Sequence, residues 1–226
     1  MNDRHERPTA GARVGHGLGR VLAHGVWATK VLGAHHVPAH GPVLLAANHT
    51  GVVDGPVLVG ASPRPAHILI KQEMFAGPIG AVLRTVDQIA VDRDNPRAAL
   101  AAALEVLKRG AVVGIFPEGS RGRGDASDSR AGITWLALNG RAPVVPVAIL
   151  GTRHTGQGVN HLPRLRQRLV VAFGEPVVVE RAVGVPGRQA MAEANDRLRD
   201  ALALHVAATV TATGIPLPTD DPLNAV

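Results

Sequence analysis

The sequence predicts a single α/β domain with a mixed, mostly parallel central sheet flanked by helices and an N-terminal amphipathic helix. Short apolar runs alternate with longer segments of helical periodicity, which is the pattern of a sheet covered by helices. The 226 residues are enough for one sizeable core and few for a second full domain. We therefore divide the chain into an N-terminal tail and helix (1–34), the domain (35–212) and a loose C-terminal tail (213–226).

Six short apolar runs predict the strands, and three longer periodic segments predict helices of the domain. The strands are expected at 43–47, 67–70, 88–91, 111–116, 144–150 and 169–173. The helices are expected at 96–109, 131–139 and 188–210. Asn95 is the expected N-cap of the first helix, with Pro96 in its first turn and Gly110 just past its end.

The N-terminal segment between residues 13 and 32 separates apolar from basic positions on a helical wheel. Val14, Leu18, Val21, Leu22, Val26 and Leu32 fall on one side, and Arg13, His16, Arg20, His24 and Lys30 on the other. This pattern is typical of a helix lying in a membrane surface, and equally of a helix packed on its own domain. No apolar run is long enough for a transmembrane helix, and no signal peptide is expected.

Composition limits the possible partners. The net charge is +6, from 24 basic and 18 acidic residues, which favours anionic lipid and other acidic partners. The basic residues are dispersed and aromatic residues make up 2%, so nucleic acid is not an expected partner. The chain has no cysteine, and its 11 histidines lack an accompanying carboxylate cluster, so we predict no metal site.

A histidine and a carboxylate follow the strand predicted at 43–47. His49 and Asp54 are five positions apart, and on a continuous helix they would point about 140° away from each other. Gly51 allows a bend between strand and helix that would bring them together. Asp54 would then orient the imidazole of His49, which could act as a general base. The alternative is a histidine at a strand end and a helix-capping aspartate that never meet.

A second motif follows the strand predicted at 111–116. The segment 116–124 contains three glycines, at 119, 122 and 124, together with one carboxylate, Glu118, and two guanidinium groups, Arg121 and Arg123. Glycines let backbone N–H groups approach an anion closely, and guanidinium can bind phosphate with two hydrogen bonds. The segment is either an anion-binding loop or a solvated basic turn. It is neither a Walker loop nor a serine hydrolase elbow.

These two motifs, in this order and about seventy residues apart, resemble the glycerophosphate and lysophosphatidate acyltransferase family. Asn48, His49 and Asp54 match one family block, and 116–121 matches another with serine in place of threonine. The segments 89–93 and 144–147 resemble two further blocks, and the segment that begins at Lys71 resembles the family's linking segment. The resemblance covers roughly residues 35 to 180.

The resemblance implies transfer of an acyl group from a thioester carrier, acyl-coenzyme A or acyl carrier protein, to the free hydroxyl of a lysophospholipid. The expected acceptor is 1-acyl-sn-glycerol 3-phosphate, giving phosphatidate. His49 and Asp54 would be the catalytic residues, and no cofactor beyond the co-substrate is implied. The implied substrate-binding residues are Asn48, Lys71, Arg93, Glu118, Gly119, Ser120 and Arg121. We also expect backbone N–H groups near the His49 turn to stabilise the oxyanion.

Three positions depart from the family pattern. Gly51 stands where many members have serine, and Asp87 and Ala90 stand where glycine and phenylalanine are common. The last two keep open another lysolipid or a glycolipid as acceptor. A thioesterase that uses the same two residues on water, or a non-catalytic lipid-binding protein, would be the alternatives to an acyltransferase. The expected location is peripheral, at the cytoplasmic face of the cell membrane.

Overall fold

A computed structural model describes residues 8–92, 94–119, 121–126, 131–180 and 186–220. They form a seven-stranded sheet with the order β1-β7-β6-β2-β5-β3-β4. The strands are β1 Ala28–Leu32, β2 Val43–Ala47, β3 Ala66–Lys71, β4 Ile89–Val91, β5 Val112–Ile115, β6 Val144–Leu150 and β7 Arg168–Phe173. Neighbouring strands are parallel except β6 and β7, so β1 and β7 run opposite to the other five. The α/β prediction with a mostly parallel sheet is confirmed.

Helices cover both faces of this sheet. The α-helices are α1 Ala10–Arg20, α2 Asp54–Ala61, α3 Gly77–Thr85, α4 Arg97–Lys108, α5 Gly132–Gly140 and α6 Gly187–Thr213. One core lies between the sheet and α2, and the other between the sheet and α4 and α5. The sequence did not predict α2 as a helix with its own boundaries, because α2 is apolar nearly all round and lacks an amphipathic period. The N-cap of α4 is Pro96 and not Asn95.

The N-terminal helix ends earlier than predicted. Helix α1 continues into a π-helical turn, Val21–Val26, and the next residues form β1. Because β1 contains the β-branched residues Thr29 and Val31 and pairs along its length with β7, the last positions of the expected helix are a sheet edge. Residues 28–32 therefore belong to the sheet, so the domain begins before residue 35.

Helix α1 packs on α2 through its glycines. A Cβ at Gly19 would lie 2.8 Å from the backbone nitrogen of Gly60, so the two helices approach at backbone distance. The apolar side chains of Val14, Leu18 and Val21 are 50 to 63% exposed as a result. None of the helices in the described part of the chain meets the length and apolarity that a membrane crossing requires.

The sheet positions the site through the carboxyl ends of its parallel strands. β2, β3, β5 and β6 all point toward one edge, where the chain leaves each strand into a turn or loop. His49 follows β2, Lys71 ends β3, Phe116 follows β5 and Gly151 follows β6. In open α/β sheets this edge is where ligands bind.

The C-terminal end packs on the domain over most of its described length. Helix α6 extends to Thr213, beyond the predicted residue 210. Residues 214–220, part of the tail that was expected to be loose, also contact the domain. Ile215 and Leu217 pack against a third apolar cluster, between the sheet and α6, and Asp220 forms an ion pair with Arg153.

Candidate active site

The imidazole of His49 is held by Asp54, as the spacing predicted. Nδ1 of His49 lies 2.8 Å from Oδ2 of Asp54, at the start of α2. The side chain of Asp54 is 1% exposed and that of His49 is 16% exposed. With Nδ1 bonded to the carboxylate, Nε2 is the nitrogen left to meet a substrate. The geometry is that of a general base with its orienting partner.

The amide groups of this turn already have acceptors. The N–H groups of Thr50 and Gly51 both donate to Oδ2 of Asp54, at 2.7 and 2.8 Å. The N–H of His49 donates to Glu118, and that of Val52 donates to the carbonyl of Val159. These four N–H groups are therefore engaged within the protein, and which backbone groups would stabilise an oxyanion stays a prediction.

The loop that follows β5 holds His49 from the other side. The ring of Phe116 stacks on the imidazole, with ring centroids 4.1 Å apart and an interplanar angle of 20°. Oε1 of Glu118 accepts the His49 N–H at 3.2 Å, and the N–H of Gly122 donates to the His49 carbonyl at 3.0 Å. The ring and both backbone groups of His49 are thus fixed by this loop and by Asp54.

Glu118 lies in a poorly hydrated place. Burial raises the pKa of its carboxyl from 4.5 to about 8, and the charges of Asp125 and Asp54 act in the same direction. The hydrogen bonds from the backbone of His49 and Ala126 oppose this rise. A neutral carboxyl at this position still accepts the His49 N–H through Oε1.

A cavity of about 420 Å³ opens beside His49. Its wall is mostly aliphatic, and the polar or charged side chains that line it come from His49, Lys71 and Arg121. The apolar lining includes Ile68, Ile70, Met74, Ile79, Leu83, Val91, Leu100, Ile115 and Phe116. Such a volume is in the range of small-ligand sites. The site can therefore hold a long apolar group with its reactive end at a base and two cations.

Comparison with known proteins agrees with this geometry. A family model described as Acyltransferase matches residues 28–150, more than half of the chain. The chain belongs to the acyltransferase family. The 1-acyl-sn-glycerol-3-phosphate acyltransferase of Bacillus subtilis is 33% identical over 178 residues, which cover 76% of this chain and 86% of that protein. The protein of the same name from Borreliella burgdorferi is 31% identical over 129 residues, 55% of this chain and 52% of its own.

A solved structure extends the comparison to the fold of this acyltransferase. The crystal structure of the 1-acyl-sn-glycerophosphate acyltransferase of Thermotoga maritima matches 88% of this chain and 79% of that one, with a TM-score of 0.66. The two sequences are 20% identical in this match, so it supports the fold alone.

Not every predicted substrate-binding residue of the acyltransferase reaches the cavity. His49, Lys71, Gly119 and Arg121 line it, whereas Glu118 lies behind the histidine. Arg93 and Ser120 lie outside the described residues. Asn48 is fully buried, and its side-chain amide exchanges two hydrogen bonds with the backbone of Ile149, at 2.7 and 3.2 Å. A substrate contact by Asn48 is thus a wrong prediction, because both of its polar atoms join β2 to β6.

The departures from the family pattern lie away from the cavity wall. The carboxylate of Asp87 accepts the Thr9 hydroxyl at 2.6 Å beside the start of α1, and Ala90 is exposed. Neither residue lines the cavity. Gly51 is buried in the turn between β2 and α2. The N–H groups of Thr50 and Gly51 stabilise this turn by donating to Asp54, so the turn forms without the hydrogen bond that a serine side chain would supply.

Three residues of the site give no signal in the sequence. The hydroxyl of Thr152 lies 3.0 Å from that of Thr50. The side-chain oxygen of Asn160 accepts a hydrogen bond from Nη1 of Arg121 at 2.8 Å. The side chain of Arg153 is fully buried behind the loop that follows β5. Thr152, Arg153 and Asn160 belong to the connection between β6 and β7, which carries no recognisable motif. Only the direction of β6 places this connection beside His49.

Proposed function

We propose that this acyltransferase moves a fatty acyl group from acyl-coenzyme A or acyl carrier protein to the free hydroxyl of 1-acyl-sn-glycerol 3-phosphate, with His49 as the general base. The product is phosphatidate, so the enzyme would act in phospholipid biosynthesis. The observation that carries the proposal is the position of His49, held by Asp54, at an apolar cavity that Lys71 and Arg121 also line. The names of the relatives favour this acceptor.

The reaction needs one proton transfer in each direction. Nε2 of His49 takes the proton of the acceptor hydroxyl as its oxygen attacks the thioester carbonyl carbon. The tetrahedral intermediate then expels the thiolate, which takes the proton back from the imidazolium. Direct attack needs no covalent enzyme intermediate. Asp54 keeps the ring oriented and stabilises its charged form.

The cavity separates the acyl chain from the headgroup. The aliphatic side chains from β3, α3 and α4 suit a fatty acyl chain, because burial of each methylene contributes about 0.8 kcal/mol. Arg121, and Lys71 at the end of β3, would bind the phosphate of the acceptor near the base. Arg93, Gly119 and Ser120 remain predicted contributors to the same headgroup site.

The acceptor would be supplied by a membrane, and we propose peripheral binding at the cytoplasmic face of the cell membrane. The exposed side chains of Val14 and Leu18 on α1, and of Val21 directly after it, would enter the lipid interface. The net charge of +6 would add attraction to anionic lipid.

The test is the release of free thiol from acyl-coenzyme A by purified protein on vesicles, with and without 1-acyl-sn-glycerol 3-phosphate. We expect release that depends on the acceptor and that falls about 10² to 10⁴-fold in His49→Ala. Release without acceptor would identify a thioesterase instead. An unchanged rate in His49→Ala would remove the proposed base. If coenzyme A donors fail, acyl carrier protein donors and other lysolipids or glycolipids are tried with the same variant.

A further inference from the structure

A buried guanidinium group, that of Arg153, lies directly behind the loop that follows β5. The side chain of Arg153 is 0% exposed, just after β6. Its Nη2 donates to the carbonyl of Gly122 at 3.1 Å, and its Nη1 donates to the carbonyl of Gln157 at 2.9 Å. A buried cation is costly unless it is paired and hydrogen-bonded, so this set of partners demands an explanation.

The counter-charge comes from the C-terminal segment 214–220, which we call the brace. Nη1 of Arg153 lies 3.0 and 3.1 Å from the two carboxylate oxygens of Asp220. The same carboxylate accepts the N–H of Gly156 at 3.2 Å, and Thr219 bonds to Thr155. Desolvation raises the pKa of Asp220, but the hydrogen bond from Gly156 and the attraction of Arg153 help to hold that pKa below its usual value. The brace is therefore fixed to the connection between β6 and β7 at three residues.

Arg153 connects the brace to His49 through Gly122. Gly122, whose carbonyl Arg153 binds, donates its own N–H to the carbonyl of His49. Gly124 closes the same loop against the histidine turn, since a Cβ there would lie 2.9 Å from Nδ2 of Asn48. The loop thus lies between the His49 backbone on one side and Arg153 on the other.

We infer that Arg153 is a positioning residue, and that the brace fixes the loop residues 121–124 and through them the backbone of His49. This inference deepens the proposed function, since it concerns the base assigned there. Without Asp220, the guanidinium is left without its counter-charge and must move toward water. The Gly122 carbonyl then loses its donor, and His49 loses a restraint on its place at the cavity. A misplaced base lowers the rate, whereas substrate binding in the cavity stays the same.

The first variant is Asp220→Ala in the full chain. We expect kcat for acyl transfer to fall at least about tenfold at a temperature well below unfolding, with the KM of donor and acceptor unchanged. Amide hydrogen exchange, followed by mass spectrometry, should become faster in residues 121–126. The exchange measurement needs no activity, so it tests the brace even if the proposed reaction is wrong. Asp200→Ala, which removes an exposed ion pair with Arg199 on α6, is the matched control and should change neither quantity.

A double variant separates positioning from stability. Arg153→Met with Asp220→Ala removes both charges, and replacing a buried ion pair by apolar groups often restores stability. We expect its Tm to return toward that of the unmodified protein while kcat stays low and exchange in the loop stays fast. If kcat recovers together with Tm, the pair only stabilises the fold and the inference is overturned. An unchanged kcat or unchanged loop exchange in Asp220→Ala would also overturn it.

Discussion

His49 shows how a single residue is fixed by groups distant in the sequence. Asp54 fixes its ring edge, Phe116 covers its ring face, and Glu118 and Gly122 bind its backbone N–H and carbonyl. Each contact removes a rotation that would otherwise have to be restricted during the reaction. The side chain and backbone of His49 are therefore fixed in place before any substrate binds, as the proposed role of general base requires.

The raised pKa of Glu118 predicts that the stability of the fold decreases as pH rises from about 4.5 to about 8. Its folded-state pKa of about 8 lies above the ordinary value of 4.5, so the folded protein retains a proton that the unfolded chain releases. This contribution is complete below pH 4.5 and is lost as pH rises through 8. Glu118→Gln removes the titration and keeps an acceptor for the His49 N–H. We expect Tm of the unmodified protein to fall relative to Glu118→Gln between about pH 5 and 9.

Thermal unfolding at a series of pH values checks this expectation. Glu175→Gln, which changes an exposed carboxyl, is the control, and its Tm difference from the unmodified protein should stay flat. A flat difference for Glu118→Gln as well would show that Glu118 titrates alike in the folded and unfolded chain.

Arg121 is the residue on which the phosphate role can be tested alone. We expect Arg121→Ala to raise the KM for 1-acyl-sn-glycerol 3-phosphate about tenfold or more, because a hydrogen bond to a charged group contributes about 1.5 to 3 kcal/mol. The KM for the acyl donor should stay the same. Initial rates at varied acceptor and donor concentrations give both constants. Arg123→Ala is the matched control, since Arg123 is exposed and does not line the cavity. Equal effects of the two substitutions would refute a specific phosphate contact.

The residues of this site differ in how far the sequence reveals them. His49 and Asp54 are predictable because their interaction is local and needs only the bend at Gly51. The two hydrogen bonds of Asn48 to Ile149 and the contact of Thr50 with Thr152 span about a hundred positions. They depend on β6 lying beside β2, which no local pattern reveals.

At the scale of elements, the contact of α1 with α2 depends on glycine at particular positions. A Cβ at Gly19 would meet the backbone of Gly60, whereas a Cβ at Gly17 would meet nothing within 4 Å. We expect Gly19→Ala to destabilise the protein by separating the two helices. Gly17→Ala should stabilise it by about 0.5 to 1 kcal/mol, the ordinary preference of a helix for alanine. Chemical denaturation of both variants measures the difference, and equal stabilities would contradict the close packing.

The exposed face of α1 predicts how the proposed membrane binding would fail. Leu18→Glu places a charge on this face without disturbing the glycine contact, so we expect weaker binding to anionic vesicles and an unchanged Tm. Co-sedimentation with vesicles measures the binding. Leu204→Glu is the control, because Leu204 is 71% exposed on α6, a different helix. If Leu204→Glu reduces binding as much as Leu18→Glu, α1 is not the membrane-facing surface.

Elements were predictable where burial produces a continuous apolar run. Strands β2 and β6 have the predicted bounds, since nearly every residue in them is buried. Strand β1 was assigned to a helix because its Leu32 falls on the apolar side of the helical wheel and its Lys30 on the basic side. Its strand state depends on pairing with β7, about 140 residues later in the chain.

At the scale of the whole molecule, topology brings the separate motifs together. Four strands that are distant in the sequence end at one edge, and the residues at or just after their ends supply His49, the groups that hold it and the two cations of the cavity. The order of the motifs in the sequence predicted their shared function through the family resemblance. The α/β class could be predicted from the periodicity of apolar residues. The strand order could not be predicted, because the apolar run of each strand could pair with any of several other strands.

The reversal of β7 relative to β6 has a consequence for how this enzyme can evolve. A parallel connection would carry the chain away to the opposite edge, but here the connection of residues 151–167 begins and ends at the edge where His49 lies. Insertions or deletions within it would leave every strand pairing intact while changing what lies over the cavity. New binding preferences could thus arise from loop length alone, with His49 and the sheet unchanged.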